Sequence, residues 1–236
     1  MRVAAVGDLH CRRDATGALG PLLAPVNDLA DVLLLCGDLT DYGLVEEAQV
    51  LARELTAVRV PMVAVLGNHD HESGRAADVA KVLGEAGVHV LDGDDVVVHH
   101  VGFAGVKGFI GGFGRGTLGP WGEGIVKRFV QEAIDEALKL ESALSRLRTE
   151  RRVVLMHYAP IRETVQGEPV EIFAYLGCSR LAEPLGRLPV DVVFHGHAHN
   201  GTAEGVSATG VPVFNVALPL LKRTFPDAPP LRVFSL

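Results

Sequence analysis

Five short apolar runs in this chain each stop at a residue able to bind a metal or move a proton, and that recurrence limits the fold more than any other feature. Val3 to Val6 runs into Gly7, Asp8, Leu9 and His10; Val32 to Cys36 into Gly37 and Asp38; Met62 to Leu66 into Gly67, Asn68, His69 and Asp70. Val153 to Met156 ends at His157, and Val192 to Phe194 at His195, Gly196, His197, Ala198 and His199. A hydrophobic core needs no such residue at a strand's exit, whereas in parallel sheets that edge is where sites form. One site fed by five strand ends is the economical reading, and it calls for an α/β chain.

The spacing between the runs supports this. A helix from about Asp14 to Leu29 would connect the first two strands, and Leu44, Ala48, Leu51 and Leu55 at helical spacing predict a second crossover before Met62, so the first part reads βαβαβ. Ser73 as N-cap and Gly87 as stop predict a third helix, Ser73 to Ala86. Beyond it, Val88 to Leu91, Val96 to Val101 and Phe103 to Val106 read as an antiparallel meander with Asp92-Gly93 as its hairpin turn. Ten glycines between Gly102 and Gly124 predict a loop, followed by the longest helix, about Glu123 to Glu150, with an apolar stripe through Ile125, Phe129, Ala133, Leu140, Leu144 and Leu147. A helix near Ser179 to Leu188 and strands at Val211 to Val216 and Leu231 to Phe234 complete a second set of elements. The whole, residues 1–236, is expected to be a single domain, with the glycine-rich loop and long helix (about 102–150) as a lid or accessory element.

Composition narrows the function classes. At 48% hydrophobic residues the chain is globular, and a net charge of −7 argues against the broad basic footprint that nucleic-acid binding needs. No run approaches the ~20 apolar residues of a membrane span. Met1 leads directly into a strand rather than a signal-peptide pattern, so a cytoplasmic location is expected. Cys11, Cys36 and Cys178 form no disulfide framework and no paired zinc spacing; Cys36 reads as a small buried hydrophobe, and so does Cys11, although its place near the proposed site leaves thiol ligation as the alternative. No feature specifies an oligomeric state.

Asp8 and His10 are two apart, as are His197 and His199, and in an extended segment such pairs point to one side. Asn68 and His69, being contiguous, diverge, which suits one facing a metal and the other a substrate. Asp38 and His157 supply further donors. Carboxylate and imidazole without thiolate fit Mn, Fe, Zn or Ni better than calcium. Seven donors exceed one tetrahedral ion and suit two ions sharing a bridge, for which Asp38 is the candidate. Two ions ~3.5–4 Å apart can hold a hydroxide between them and neutralise phosphoryl oxygens during in-line displacement.

The order GDLH, GDLTD, GNHD, a lone His after a strand, then GHAH resembles the calcineurin-like metallophosphoesterase superfamily, within its group of small bacterial-type phosphodiesterases and phosphatases. The resemblance implies a four-layer α/β/β/α sandwich, two mixed β-sheets face to face with helices outside. It implies that Asp8, His10, Asp38 and His199 hold one metal while Asp38, Asn68, His157 and His197 hold the other. It further implies that His69 protonates the leaving oxygen, a task suited to imidazole with its ordinary pKa of ~6.5. A carboxylate would orient His69, either Asp41 or Asp70, with Asp41 preferred. The protein-phosphatase branch carries Arg where this chain has Tyr42, which argues against a phosphoprotein substrate and for a small-molecule phosphodiester or phosphomonoester. Two other readings stand beside the enzyme: a nuclease acting on short nucleic acid, and a catalytically silent protein-binding scaffold of the same fold. Arg115 and Trp121 in the glycine-rich loop, and Arg162 and Tyr175 in the connection after His157, are the candidate substrate contacts.

Overall fold

Each apolar run becomes a strand, and alternation along the strands decides which layer each side chain joins. The computed structural model describes residues 1–236. In chain order the first half comprises β1 Arg2–Val6, α1 Gly20–Leu23, α2 Val26–Leu29, β2 Val32–Cys36, α3 Val45–Glu54, β3 Met62–Val65, α4 Asn68–His71, α5 Ala76–Glu85 and β4 Val88–Val90. The second half comprises β5 Asp94–Val98, β6 Val101–Gly105, α6 Gly124–Arg146, β7 Arg151–Leu155, α7 Phe173–Leu176, α8 Glu183–Arg187, β8 Val192–His195, β9 Glu204–Val206, β10 Pro212–Asn215, α9 Leu218–Thr224 and β11 Arg232–Ser235.

These strands form two mixed sheets, one ordered β11-β1-β2-β3-β4 and the other β5-β6-β7-β8-β10-β9. Both have a parallel centre. β11 runs antiparallel beside β1, and β5 and β9 are the antiparallel edges of the second sheet. In β7, Val153 and Leu155 join the large core between the sheets, while Val154 joins the core beneath α6 with Leu140, Ala143 and Leu144. Period-two alternation thus buries both faces of one strand, as a layered α/β fold requires. The sheets are flanked by helices, as the sequence resemblance implied. No helix is long and apolar enough to cross a membrane.

Several local expectations need correction. The expected helix over 14–29 is two short helices, because Pro21 and Pro25 each lack the amide that a continuous helix would use. The Glu54 carboxylate instead accepts the amides of Gly17, Leu19 and Gly20 at 2.6, 2.9 and 2.8 Å. Ser73 does not cap α5, since its hydroxyl donates to the Gly43 carbonyl at 2.5 Å and the helix starts after Arg75.

The meander is also different. β4 pairs parallel with β3, so Asp92-Gly93 carries the chain from the first sheet to the second rather than turning a hairpin. The hairpin is β5–β6, where Val98 pairs with Val101 and the two turn residues, His99 and His100, sit at φ 48° and 66°. Left-handed backbone at both positions is what a two-residue turn needs to match strand twist. The strand expected at Leu231 to Phe234 belongs to the first sheet, against β1. In the long helix, Ala133, Leu140 and Leu144 are buried, while Ile125 is exposed.

Candidate metal centre

The exits of β1, β2, β3, β7 and β8 meet along one seam between the sheets. After β1 and β2 the chains stay in register: the Asp8 amide donates to Gly37 O at 2.9 Å, His10 to Asp38 O at 3.0 Å and Cys11 to Leu39 O at 3.0 Å. Asp8, His10 and Asp38 all have positive φ, 57°, 44° and 48°, and His197 has 71°. Such backbone is uncommon outside glycine, and here it aims side chains back over the sheet edge. Gly37 is required on two counts, its φ of 81° and the His157 ring that a Cβ there would overlap.

The seven expected donors converge. His199 Nε2 lies 3.0 Å from Asp8 Oδ1, His10 Nε2 3.9 Å from Asp38 Oδ2, and His157 Nε2 3.4 Å from Asp38 Oδ1 and 2.9 Å from Asn68 Oδ1. Three groups have ligand atoms all within 4.8 Å of one another: Asp8, His10 and His199; His10, Asp38 and His69; Asp38, His157 and His197. Asp38 and His10 each belong to two groups, so the clusters form one chain of donors.

The donor chemistry fits cations. Asp8 and Asp38 are buried, and buried carboxylates need positive partners. Both ring nitrogens of His10 are buried and make no well-formed hydrogen bond, Nδ1 lying 3.2 Å from Asp41 Oδ1. His157 holds Nδ1 against the Cys36 carbonyl at 3.1 Å, so in its neutral form Nε2 presents a lone pair to the oxygens of Asp38 and Asn68. Without a metal a proton fills that gap: burial alone would push the His157 imidazole down, but the Asp38 and Asp8 carboxylates raise it to about 9. The Asp38 carboxyl is held well below its ordinary range because the charge and hydrogen bond of His157 outweigh burial. His197 moves the other way, to about 4, through burial and the repulsion of His157.

His69 lies beside this centre, its ring 4.6 Å from that of His10 and its amide donating to Asp38 Oδ1 at 2.8 Å. The expected carboxylate orienter is replaced by a backbone group: His69 Nδ1 lies 2.7 Å from the Asp41 carbonyl, so the Nδ1 proton points there and Nε2 stays free. Asp41's own carboxylate takes Arg12 Nε at 2.7 Å. Asp70 is wholly buried and accepts the amides of Leu39, Thr40 and Gly67 at 3.1, 2.8 and 2.8 Å and the Thr40 hydroxyl at 2.6 Å. It pins the GNHD turn to the GDLTD loop and does not touch the His69 ring in this arrangement.

The four expected substrate contacts fall outside the cluster. Arg115 and Arg162 line a separate cleft of about 620 Å³ that contains none of the seven donors. Trp121 is 68% exposed. Tyr175 touches the centre through its main chain, its carbonyl lying 3.0 Å from His197 Nε2, while its ring is exposed. Cys11 is buried, its thiol is pushed up to about 12, chiefly by burial, and it belongs to none of the three groups.

Two further residues, His195 and Asn215, stand behind the centre outside the expected donor set. His195, fully buried and lowered to about 4 by burial, accepts the Thr164 hydroxyl at Nε2 across 2.7 Å. Asn215 donates to the carbonyls of Thr164 and Ala198 at 3.3 and 2.8 Å, bracing the GHAH turn from beneath. A polar Asn inside the apolar run Val211 to Val216 was the signal for it.

The calcineurin-like phosphoesterase family model matches residues 1–201. The chain belongs to the calcineurin-like phosphoesterase family. Membership makes it a metal-dependent hydrolase of phosphoric esters. Among solved structures, the phosphopantetheinyl hydrolase PptH from Mycobacterium tuberculosis superposes with a TM-score of 0.70 at 15% identity, covering 98% of this chain and 95% of that one. The purple acid phosphatase PPD1 from yellow lupin gives 0.58 at 13% identity, over 93% of this chain and 44% of that one. GAP50, the anchor in the inner membrane complex of Plasmodium, gives 0.54 at 16% identity, over 93% and 72%. At these identities the likeness is one of fold, and it spans enzymes and an anchor. No match is found among curated protein sequences.

Proposed function

We propose that this phosphoesterase works with two metal ions and hydrolyses a small-molecule phosphodiester or phosphomonoester. The observation that carries the reading is the position of Asp38, whose two carboxylate oxygens face different imidazoles, Oδ1 toward His157 at 3.4 Å and Oδ2 toward His10 at 3.9 Å. On one side Asp8, His10 and His199 would complete a ligand set, on the other Asn68, His157 and His197. Bound there, a pair of divalent or trivalent ions, drawn from Mn, Fe, Zn or Ni, would supply an activated water and neutralise phosphoryl charge.

The chain's own residues do the rest. Asp8 fixes the GHAH turn, its oxygens each accepting the His197 amide at 3.0 Å, so the ligands from the two sheets keep their separation. His69, with Nδ1 committed to the Asp41 carbonyl, holds a proton at Nε2 when charged and delivers it to the leaving oxygen. Asp41 serves through its carbonyl and Asp70 by holding the turn. Arg115, Trp121, Arg162 and Tyr175 have no part in this reading beyond the Tyr175 carbonyl. Residues 1–236 act as one domain, and the loop between β6 and α6 is its accessory element. The net charge of −7 favours a small substrate over nucleic acid. The GAP50 likeness keeps an anchor-type role in view, but the retained His69 and the full donor set favour an enzyme.

The test is metal-stripped protein refilled singly with Mn, Fe, Zn or Ni and assayed on p-nitrophenyl phosphate, bis-p-nitrophenyl phosphate and cyclic nucleotides. Hydrolysis restored by two metal equivalents per chain is expected. Full activity at one equivalent would remove the dinuclear reading, and no hydrolysis with any metal would remove the enzyme.

A further inference from the structure

Lys107 lies two residues beyond the end of β6, on the same sheet edge as His157, and its carbonyl accepts the amides of His157 and Tyr158 at 3.0 and 3.1 Å. Its ammonium donates to the Gly108 carbonyl at 2.8 Å and stands 5.0 and 5.5 Å from the ring centres of Phe109 and Tyr158. Of the carboxylates around it, Asp92 and Glu136 pair with Lys139 at 3.2 and 2.8 Å, while Glu132 faces the same cleft without an ion pair. Lys107 makes no ion pair and has donors to spare. A largely desolvated ammonium in that state binds an anion more strongly than a surface lysine does.

Two adjoining clefts meet at this side chain. One, about 320 Å³, starts at Asn68 and is walled by Phe109, Tyr158, the cations Lys107 and Lys139, and the carboxylates Asp92, Glu132 and Glu136. The other, about 330 Å³, shares His71, Asp92 and Lys107 with it and is mostly apolar, through Leu66, Ala76, Ala80, Val90 and Leu91. A passage that begins at a candidate metal donor, crosses one uncommitted cation and ends in an aliphatic recess has the layout of a substrate site.

We propose that this double cleft selects the substrate: Lys107 takes a second anionic group, carboxylate or phosphate, on a molecule whose phosphoester lies at the metal centre, and the recess beside it takes a short aliphatic segment. The substrate class is then an acidic, aliphatic phosphoester. This deepens the phosphoesterase reading and rests on it.

Non-hydrolysable phosphonates separate the two. Calorimetry on the metal-loaded protein compares propylphosphonate with 4-phosphonobutyrate and propane-1,3-diyl bisphosphonate. Each doubly anionic probe is expected to bind at least about tenfold tighter than propylphosphonate, one charged hydrogen bond being worth that much. In Lys107→Met the advantage is expected to vanish while propylphosphonate binds as before, and Lys107→Arg should retain part of it. The carboxylate and phosphate arms report which anion the site prefers.

An advantage absent from the wild type, or surviving in Lys107→Met shown folded by circular dichroism, overturns the proposal. Should Lys107→Met not fold, Ala80→Phe, which fills the recess from α5, must weaken hexylphosphonate relative to methylphosphonate, and an unchanged ratio overturns it equally. The same wild-type preparation is assayed on p-nitrophenyl phosphate. Hydrolysis without the second-anion advantage removes only this inference, and the advantage without hydrolysis removes only the enzymatic reading.

Discussion

The two sheets contribute differently to the centre. The first supplies every oxygen donor, Asp8, Asp38 and Asn68, from loops that hold one another by backbone hydrogen bonds and by the buried Asp70 carboxylate. The second supplies His157, His197 and His199, and its GHAH turn adds side-chain braces to its backbone bonds: Asn215 from beneath and Asp8 from the opposite sheet. The halves also share backbone bonds, Gly7 pairing with Val216 and Leu218, but only the second takes a carboxylate brace from across the seam. The difference also has a charge basis, because buried carboxylates on one side are balanced by imidazoles on the other only when the sheets pack.

The largest effects come from breaking the shared member. Asp38→Asn removes the charge facing both sides, so activity is expected to fall to that of metal-stripped protein and bound metal to drop on both sides. His199→Ala, on the second half, is expected to lose one equivalent and keep the other. Elemental analysis after dialysis checks both. Equal loss in the two variants would erase the asymmetry.

His69 sharpens the comparison from within the first half, since it groups with His10 and Asp38 and yet is assigned the proton rather than a metal. His69→Ala is expected to leave metal content unchanged and slow turnover by about 10²–10⁴-fold for a poor leaving group such as an alkoxide. For p-nitrophenolate, which needs little protonation, the loss should be far smaller. Kinetics on an alkyl and an aryl ester decide, and equal losses would take the proton-donor role away.

How much of this was legible follows the same division. The clustering of Asp8, His10, Asp38, Asn68, His157, His197 and His199 was legible because both parts of the signal, an apolar run and its polar end, are local in sequence. The resemblance added the two-sheet architecture, which periodicity alone does not contain. Asp92-Gly93 was misread since a turn sequence says that the chain bends and not which sheet it joins next. The β5–β6 turn was missed because two histidines in left-handed backbone carry none of the usual Asn-Gly signature. The Asp41 carbonyl that orients His69 could not be read, as every residue has one. Lys107 obeyed the strand-exit rule but stood at the start of a glycine-rich loop that drew attention to Arg115 and Trp121.

A smaller effect, on stability, comes from the ion pair across the sheets in metal-free protein. His157 titrates near 9 when folded, against an ordinary ~6.5 when unfolded. A raised imidazole stabilises fully below the unfolded value, and that stabilisation is lost as pH climbs through the folded one. Metal-free protein is therefore expected to lose on the order of 2 kcal/mol between about pH 6.5 and 9.5, measured by urea unfolding. Asp38, held low by the same contact, adds a loss on the acid side, below its ordinary carboxylate range. Metal loading should reverse the neutral-to-alkaline slope, since a ligating imidazole must shed its proton. A flat profile without metal would mean the two sheets are not coupled through this pair.

The smallest effect separates two regions of surface rather than two halves of the site. The Lys107 clefts open beside Asn68, whereas Arg115 and Arg162 share a cleft that reaches no donor and Trp121 lies 68% exposed. Trp121→Ala is accordingly expected to change kcat/KM by less than about twofold and stability by no more than about 0.5 kcal/mol, as for an ordinary surface substitution. A tenfold drop in kcat/KM with unchanged stability would mean that the glycine-rich loop folds over bound substrate, bringing Trp121 to a centre it does not touch here. Its many left-handed glycines, at 108, 111, 112, 114 and 122, make that rearrangement sterically cheap, so the measurement discriminates between a loop that can move and one that does.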